Sequence, residues 1–128
     1  MELSAVLKKS IAMLKVYGNI SEVSNGNSGS SKTISWASGQ VQSITLNQNT
    51  TLTFDFSLCP VGRYQLRIIQ DGTGGRTVTW STSTPGTTKW LNSVGAPALN
   101  GAISGESIAV FFWDGTNCYG SIGRVNVL

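Results

Sequence analysis

The stretch Leu52-Thr53-Phe54-Asp55-Phe56-Ser57-Leu58 decides the fold class, because large apolar side chains take every second position and small polar ones fill the gaps. A period of two puts Leu52, Phe54, Phe56 and Leu58 on one face of an extended chain and Thr53, Asp55 and Ser57 on the other, as in a half-buried β-strand. The pattern continues outward in both directions. Ile44 and Leu46 alternate with polar neighbours before it, and Tyr64, Leu66 and Ile68 alternate after it. A Gly-rich turn then leads into Thr77-Val78-Thr79-Trp80. A long connection (82–105) carries Trp90, Leu91 and Leu99, and the last strands lie at 107–113 and 118–122, joined by Asp114-Gly115-Thr116-Asn117. Short strands at this density, separated by turn residues, predict an all-β domain over 33–128: a compact antiparallel sandwich or jelly-roll-like head.

The front of the chain reads differently. Leu3, Val6, Leu7, Ile11 and Leu14 recur at spacings of three and four, with Lys8, Lys9 and Lys15 elsewhere on the surface, which predicts a short amphipathic helix over 1–20. About four turns of helix are marginal alone, so this one needs a surface to lie against. Next, Ser24-Asn25-Gly26-Asn27-Ser28-Gly29-Ser30-Ser31-Lys32 contains no apolar side chain, and 21–32 is expected to be a flexible polar tether. The layout is anchor, tether and displayed head.

Composition narrows the chemistry. A chain of 128 residues fits one domain, and it contains no His, which removes Ser-His-Asp and Cys-His catalysis and imidazole metal sites. Its carboxylates (Glu2, Glu22, Asp55, Asp71, Glu106 and Asp114) mark out no facing pair of the kind a glycosidase needs. An enzyme is therefore not expected, nor catalytic residues, a bound metal or a cofactor. The net charge of +3 is concentrated in the first 17 residues and not spread over a face, so nucleic-acid binding is not expected. No stretch approaches the length of a membrane span, so neither is membrane insertion. Cys59 and Cys118 have no metal-ligand spacing and read as buried free thiols in preference to a disulfide.

Three segments invite a binding reading, and two of them keep it. Ile108-Ala109-Val110-Phe111-Phe112-Trp113 is apolar on both faces, and its second face needs cover from the Trp90 connection or from another subunit. An oligomer is expected, with Phe111 and Trp113 in the subunit interface. Trp90, with Lys89 and Asn92 nearby, is the best candidate for stacking on a sugar, against the alternative that it plugs the end of the core. Gln70-Asp71-Gly72-Thr73-Gly74-Gly75-Arg76 lacks the Lys-Ser/Thr ending of a phosphate loop and precedes a strand, so its glycines read as turn residues.

Two segments together resemble a known family. Gln70-Asp71-Gly72-Thr73-Gly74-Gly75-Arg76-Thr77-Val78-Thr79-Trp80, followed at a distance by Phe111-Phe112-Trp113-Asp114-Gly115-Thr116, is similar to a β domain recurring in bacteriophage virion proteins, tail-fibre and other structural proteins among them. The resemblance covers about residues 40–123 and includes Lys89-Trp90 and Ala96-Pro97. It departs from the family at Cys118, where relatives often carry an aromatic residue. It implies a protein of the virion surface, commonly trimeric, with other virion proteins of capsid or tail as partners. At this length there is no room for a fibre shaft, so a small accessory protein of the capsid-decoration or head-fibre kind is expected, held to the particle through Leu3, Val6, Leu7, Ile11 and Leu14. The competing expectation is a tail-fibre or baseplate tip that contacts a host surface glycan through Trp90 and Asn92.

Overall fold

The computed structural model describes residues 21–82 and 88–125. Two sheets face each other. The chain forms β1 (Val23–Asn27), β2 (Ser31–Ser35), a 3₁₀ turn (Trp36–Ser38), β3 (Val41–Leu46), β4 (Thr50–Asp55), β5 (Gly62–Gln70), β6 (Val78–Thr82), β7 (Thr88–Trp90), β8 (Glu106–Trp113) and β9 (Cys118–Arg124). One sheet has the order β1-β3-β5-β8-β9-β7 and the other β2-β4-β6. From β1 to β7 each strand lies in the opposite sheet from the one before it. The chain therefore winds round the core in successive coils, and strands of neighbouring coils pair in parallel: β1 with β3, β3 with β5, β2 with β4, β4 with β6. The hairpin β8–β9 closes this coil by pairing antiparallel with β5, and β7 adds in parallel to β9.

The all-β expectation holds, and its antiparallel, jelly-roll-like form is corrected. Alternation reports which side chains face the core; it carries no information about which strand lies alongside. From β1 to β6 the connections send each strand to the opposite sheet, so β1, β3 and β5 run the same way, as do β2, β4 and β6. The expected tether is corrected too. Its residues form β1, a turn and β2, so the sheets begin at Val23 and not near residue 33. Before Ile34, the first core residue, these strands are held by ladders and amide side chains instead of an apolar face. Asn25 Nδ2 donates to the Ser43 carbonyl and to Gln42 Oε1, and Gly29 N–H donates to Asn47 Oδ1. Gly26 and Gly29 take φ of +64° and +60°, which glycine adopts without the Cβ penalty. The expected N-terminal helix lies outside the described residues.

Between the sheets sits an aromatic core. Trp36, Phe54, Phe56, Tyr64, Phe111 and Trp113 are all buried. Phe56 and Trp113 stack in parallel at 4.5 Å, and Phe111 meets Phe54 edge-on at 4.7 Å. Tyr64 keeps its hydroxyl satisfied by donating to the Pro60 carbonyl at 2.7 Å. Phe111 and Trp113, expected in a subunit interface, are 0% and 4% exposed within the single chain, so both side chains are spent on its own core. The period of two is the reason: on β8 the inward set is Ser107, Ala109, Phe111 and Trp113, and the outward set includes Val110 and Phe112.

At the corner where the chain passes from β2 to β3, Gln42 is 1% exposed and fully engaged. Its Nε2 donates to the carbonyls of Ser35 (2.9 Å) and Gly39 (2.8 Å), while its Oε1 accepts from Asn25. One buried amide thus ties β1 and β3 to the turn between the sheets.

Candidate functional site

The outward face of the six-stranded sheet carries the chemistry. Cross-strand register sets its side chains in rows. Arg63 on β5 stands opposite Phe112 on β8, Phe112 opposite Tyr119 on β9, and Tyr119 opposite Lys89 on β7. The next row holds Gln65, Val110 and Ser121, and the one after it Arg67, Ile108 and Gly123. Phe112 and Val110 are 42% and 36% exposed, so this sheet presents apolar groups outward as well as inward. The Phe112 and Tyr119 rings lie 6.3 Å apart, and Lys89 Nζ sits 5.8 Å from the Tyr119 ring centre, within cation–π range. Arg63, Leu91, Val110, Phe112, Tyr119 and Ser121 line a shallow depression of about 210 Å³ here.

Further along the face, Arg67 is fully committed. Its Nη2 and Nε donate to the two oxygens of Glu22 at 2.8 and 3.0 Å, and its Nη1 to Glu106 at 2.7 Å. The hydrogen bond from Arg67 holds the Glu22 carboxyl below its ordinary range, and Glu22 and then Glu106 push the Arg67 guanidinium above its own. At about one third exposure these pairs add little stability each, though the fork geometry fixes position.

The two motif loops prove to be structural staples. Asp71 Oδ1 accepts from the N–H groups of Thr73 and Gly74, and its other oxygen pairs with Arg76 at 3.0 Å. Gln70, buried, uses its amide as a strand would: Oε1 accepts from Arg76 N–H and Nε2 donates to the Arg76 carbonyl, both at 2.9 Å. Gly74, at φ +73°, lies so close to the 101–103 backbone that a Cβ would sit 2.9 Å from the Gly101 carbonyl oxygen. Asp114 accepts from Thr116 and Asn117 N–H and receives the Tyr119 hydroxyl at 3.3 Å. Both carboxyls are held below their usual range, Asp71 chiefly by Arg76 and Asp114 chiefly by the Asn117 N–H. Their lone pairs are occupied by turn closure, which is structural work.

The remaining sequence candidates separate. Trp90 is half-buried, edge-on to Trp80 at 5.2 Å and to Phe111 at 5.9 Å, so its ring closes the core between the sheets and is no open platform. Asn92 is exposed in a left-handed turn (φ 57°) beyond β7 and does not join Trp90 in a site. Leu3, Val6, Leu7, Ile11 and Leu14 lie outside the described residues. Cys59 and Cys118 are both buried and unpaired, and burial pushes their thiols up to about 11 and about 12. Among the described residues, no group of three or more His, Cys, Asp or Glu could hold a metal, and no helix is long and apolar enough to cross a membrane. Sequence reading missed the row Arg63, Phe112, Tyr119, Lys89; the signal was the outward parity of β8, whose inward residues were chosen instead. Compared with known proteins, the chain matches no family model, no curated protein and no solved structure.

Proposed function

We propose that this protein is a structural component of a bacteriophage particle: a small surface accessory protein of the capsid-decoration or head-fibre kind, which displays a trimeric β head and attaches through its first twenty residues. The observation that carries the reading is that, among the described residues, strands within 23–124 assemble both sheets round a closed aromatic core. The apolar series Leu3, Val6, Leu7, Ile11 and Leu14 precedes these strands in the sequence, and its helical spacing suits attachment. The motifs behind the family resemblance support it as well, since their glycines and carboxylates close the turns of a rigid head. Such a head suits display, because its coils and closing hairpin present side chains from fixed strand positions.

Removal of residues 1–20 tests the reading. The truncated chain is expected to stay folded and soluble and to lose attachment to particles; decoration at full occupancy would sink the attachment role. Immunogold labelling of purified particles separates the capsid from a tail tip, and light scattering should give three times the 13.6 kDa chain mass.

A further inference from the structure

We infer that the row Arg63, Phe112, Tyr119, Lys89 on the outward face of the six-stranded sheet binds an acidic glycan, a polymer of carboxylated sugars. The inference rests on this row's geometry and does not depend on where the protein sits on a particle. All four residues stand on strands, on β5, β8, β9 and β7, so their spacing is set by ladder hydrogen bonds and not by loops. The row crosses three inter-strand gaps, about 14 Å. Its centre is two aromatic rings at 6.3 Å, with Phe112 42% exposed, and the apolar C–H face of a pyranose packs on such rings. Its two ends are cations. Arg63 forms no ion pair among the described residues, and Lys89 is held over the Tyr119 ring.

Hydroxyl partners complete the site. Ser121 stands outward beside Val110 in the next row and lines the same depression. The Tyr119 hydroxyl, which donates to Asp114, keeps its own oxygen as an acceptor at the row's edge. Rings for the sugar face, acceptors for its hydroxyls and a guanidinium and ammonium for its carboxylates define an acidic sugar chain.

Charge disfavours the other occupants. A nucleic-acid backbone requires a continuous line of free cations, and the next cation along this face, Arg67, is neutralised by Glu22 and Glu106. A second copy related by a two-fold axis through the row would bring Arg63 and Lys89 against their own counterparts, like charge on like.

The test is affinity electrophoresis of the full chain through gels containing polygalacturonate, hyaluronate or polysialate, with dextran as neutral control and poly(dT) as nucleic-acid control. Retardation by at least one carboxylated polymer, weakened by salt, and none by dextran is expected. Phe112→Ser, Arg63→Gln and Lys89→Gln should each weaken it roughly tenfold, the loss expected for one charge-assisted bond or one stacking ring. Arg124→Gln, which removes the same charge outside the row, should leave it unchanged. The inference is overturned by no retardation in any carboxylated polymer, by equal retardation in dextran, by retardation in poly(dT) alone or by an equal loss in Arg124→Gln. It is also overturned if Phe112→Ser lowers the assembled mass in light scattering, which would show that a sister chain covers the row. Should Phe112→Ser fail to fold, the two charge variants decide the matter.

Discussion

Replacing Gln42 by Leu tests whether the corner between the sheets is held by one buried amide. Leucine keeps most of the side-chain volume and removes all three hydrogen bonds, to the carbonyls of Ser35 and Gly39 and from the amide of Asn25. Asn25 retains its bond to the Ser43 carbonyl and stands near solvent, so its loss is small. The two carbonyls lose a donor that water reaches poorly. At ~1 kcal/mol for each lost bond, plus part of the desolvation cost of the stranded carbonyls, the variant should be about 2–4 kcal/mol less stable. That is a large fraction of the 5–15 kcal/mol typical of a domain. In urea, with a slope near 1.5 kcal/mol/M, the midpoint should fall by roughly 1.3–2.7 M with the slope unchanged. Gln42→Glu sharpens the test. The ionised carboxylate turns acceptors toward acceptors and should cost more than leucine at pH 7, and part of the loss should return as the pH falls and the protonated group regains a donor. A midpoint shift equivalent to less than about 0.5 kcal/mol in Gln42→Leu would refute the bracket.

Other outcomes follow from the same structure. Phe111→Ala removes a ring packed against Phe54, Trp36, Trp80 and Trp90 and should cost about 3–5 kcal/mol in urea unfolding. Gly74→Ala should cost about 2–3 kcal/mol, because it combines a left-handed φ with a Cβ 2.9 Å from the Gly101 oxygen; a neutral result would mean that the 99–105 loop gives way. With no His in the chain, stability should be flat between about pH 5 and 8. The carboxyls of Glu22, Asp71 and Asp114 are depressed in the fold, so their stabilisation is present above about pH 4 and lost as pH falls through their lower folded values, a loss that urea midpoints at pH 4 and pH 2.5 would show. The thiols are raised in the fold to about 11 and about 12, so their contribution is intact below the ordinary value near 9 and lost as pH rises above it. At pH 8 a disulfide-exchange reagent should label neither cysteine in the native protein and both in urea.

The inward residues of β4 and β5 were legible because alternation is a direct image of a pleated chain with one dry face, whereas β8, apolar on both faces, hid which of its residues turn inward. What alternation does not encode is partnership. The parallel winding depends on the lengths and paths of the connections, so the same inward residues would serve an antiparallel sandwich equally well. β1 and the first half of β2 were invisible for another reason: before Ile34 they bury no large apolar side chain, and ladders with the amides of Asn25, Gln42 and Asn47 hold them. Tertiary context overrides composition there. The candidate row was half legible. Phe112 stood in plain view within a run apolar on both faces, but Arg63, Tyr119 and Lys89 are separated from it along the chain and meet it only through register.

The fork from Arg67 to Glu22 also has a mechanical meaning. A pull on the N-terminal segment enters the domain at Glu22, one residue before β1, an edge strand with an irregular register that would peel under load. Glu22 is fastened instead to β5, two strands further in, and the same guanidinium holds Glu106 on β8. Part of the tension is therefore passed to the two most extensively paired strands of the sheet, so that the rim does not carry it alone.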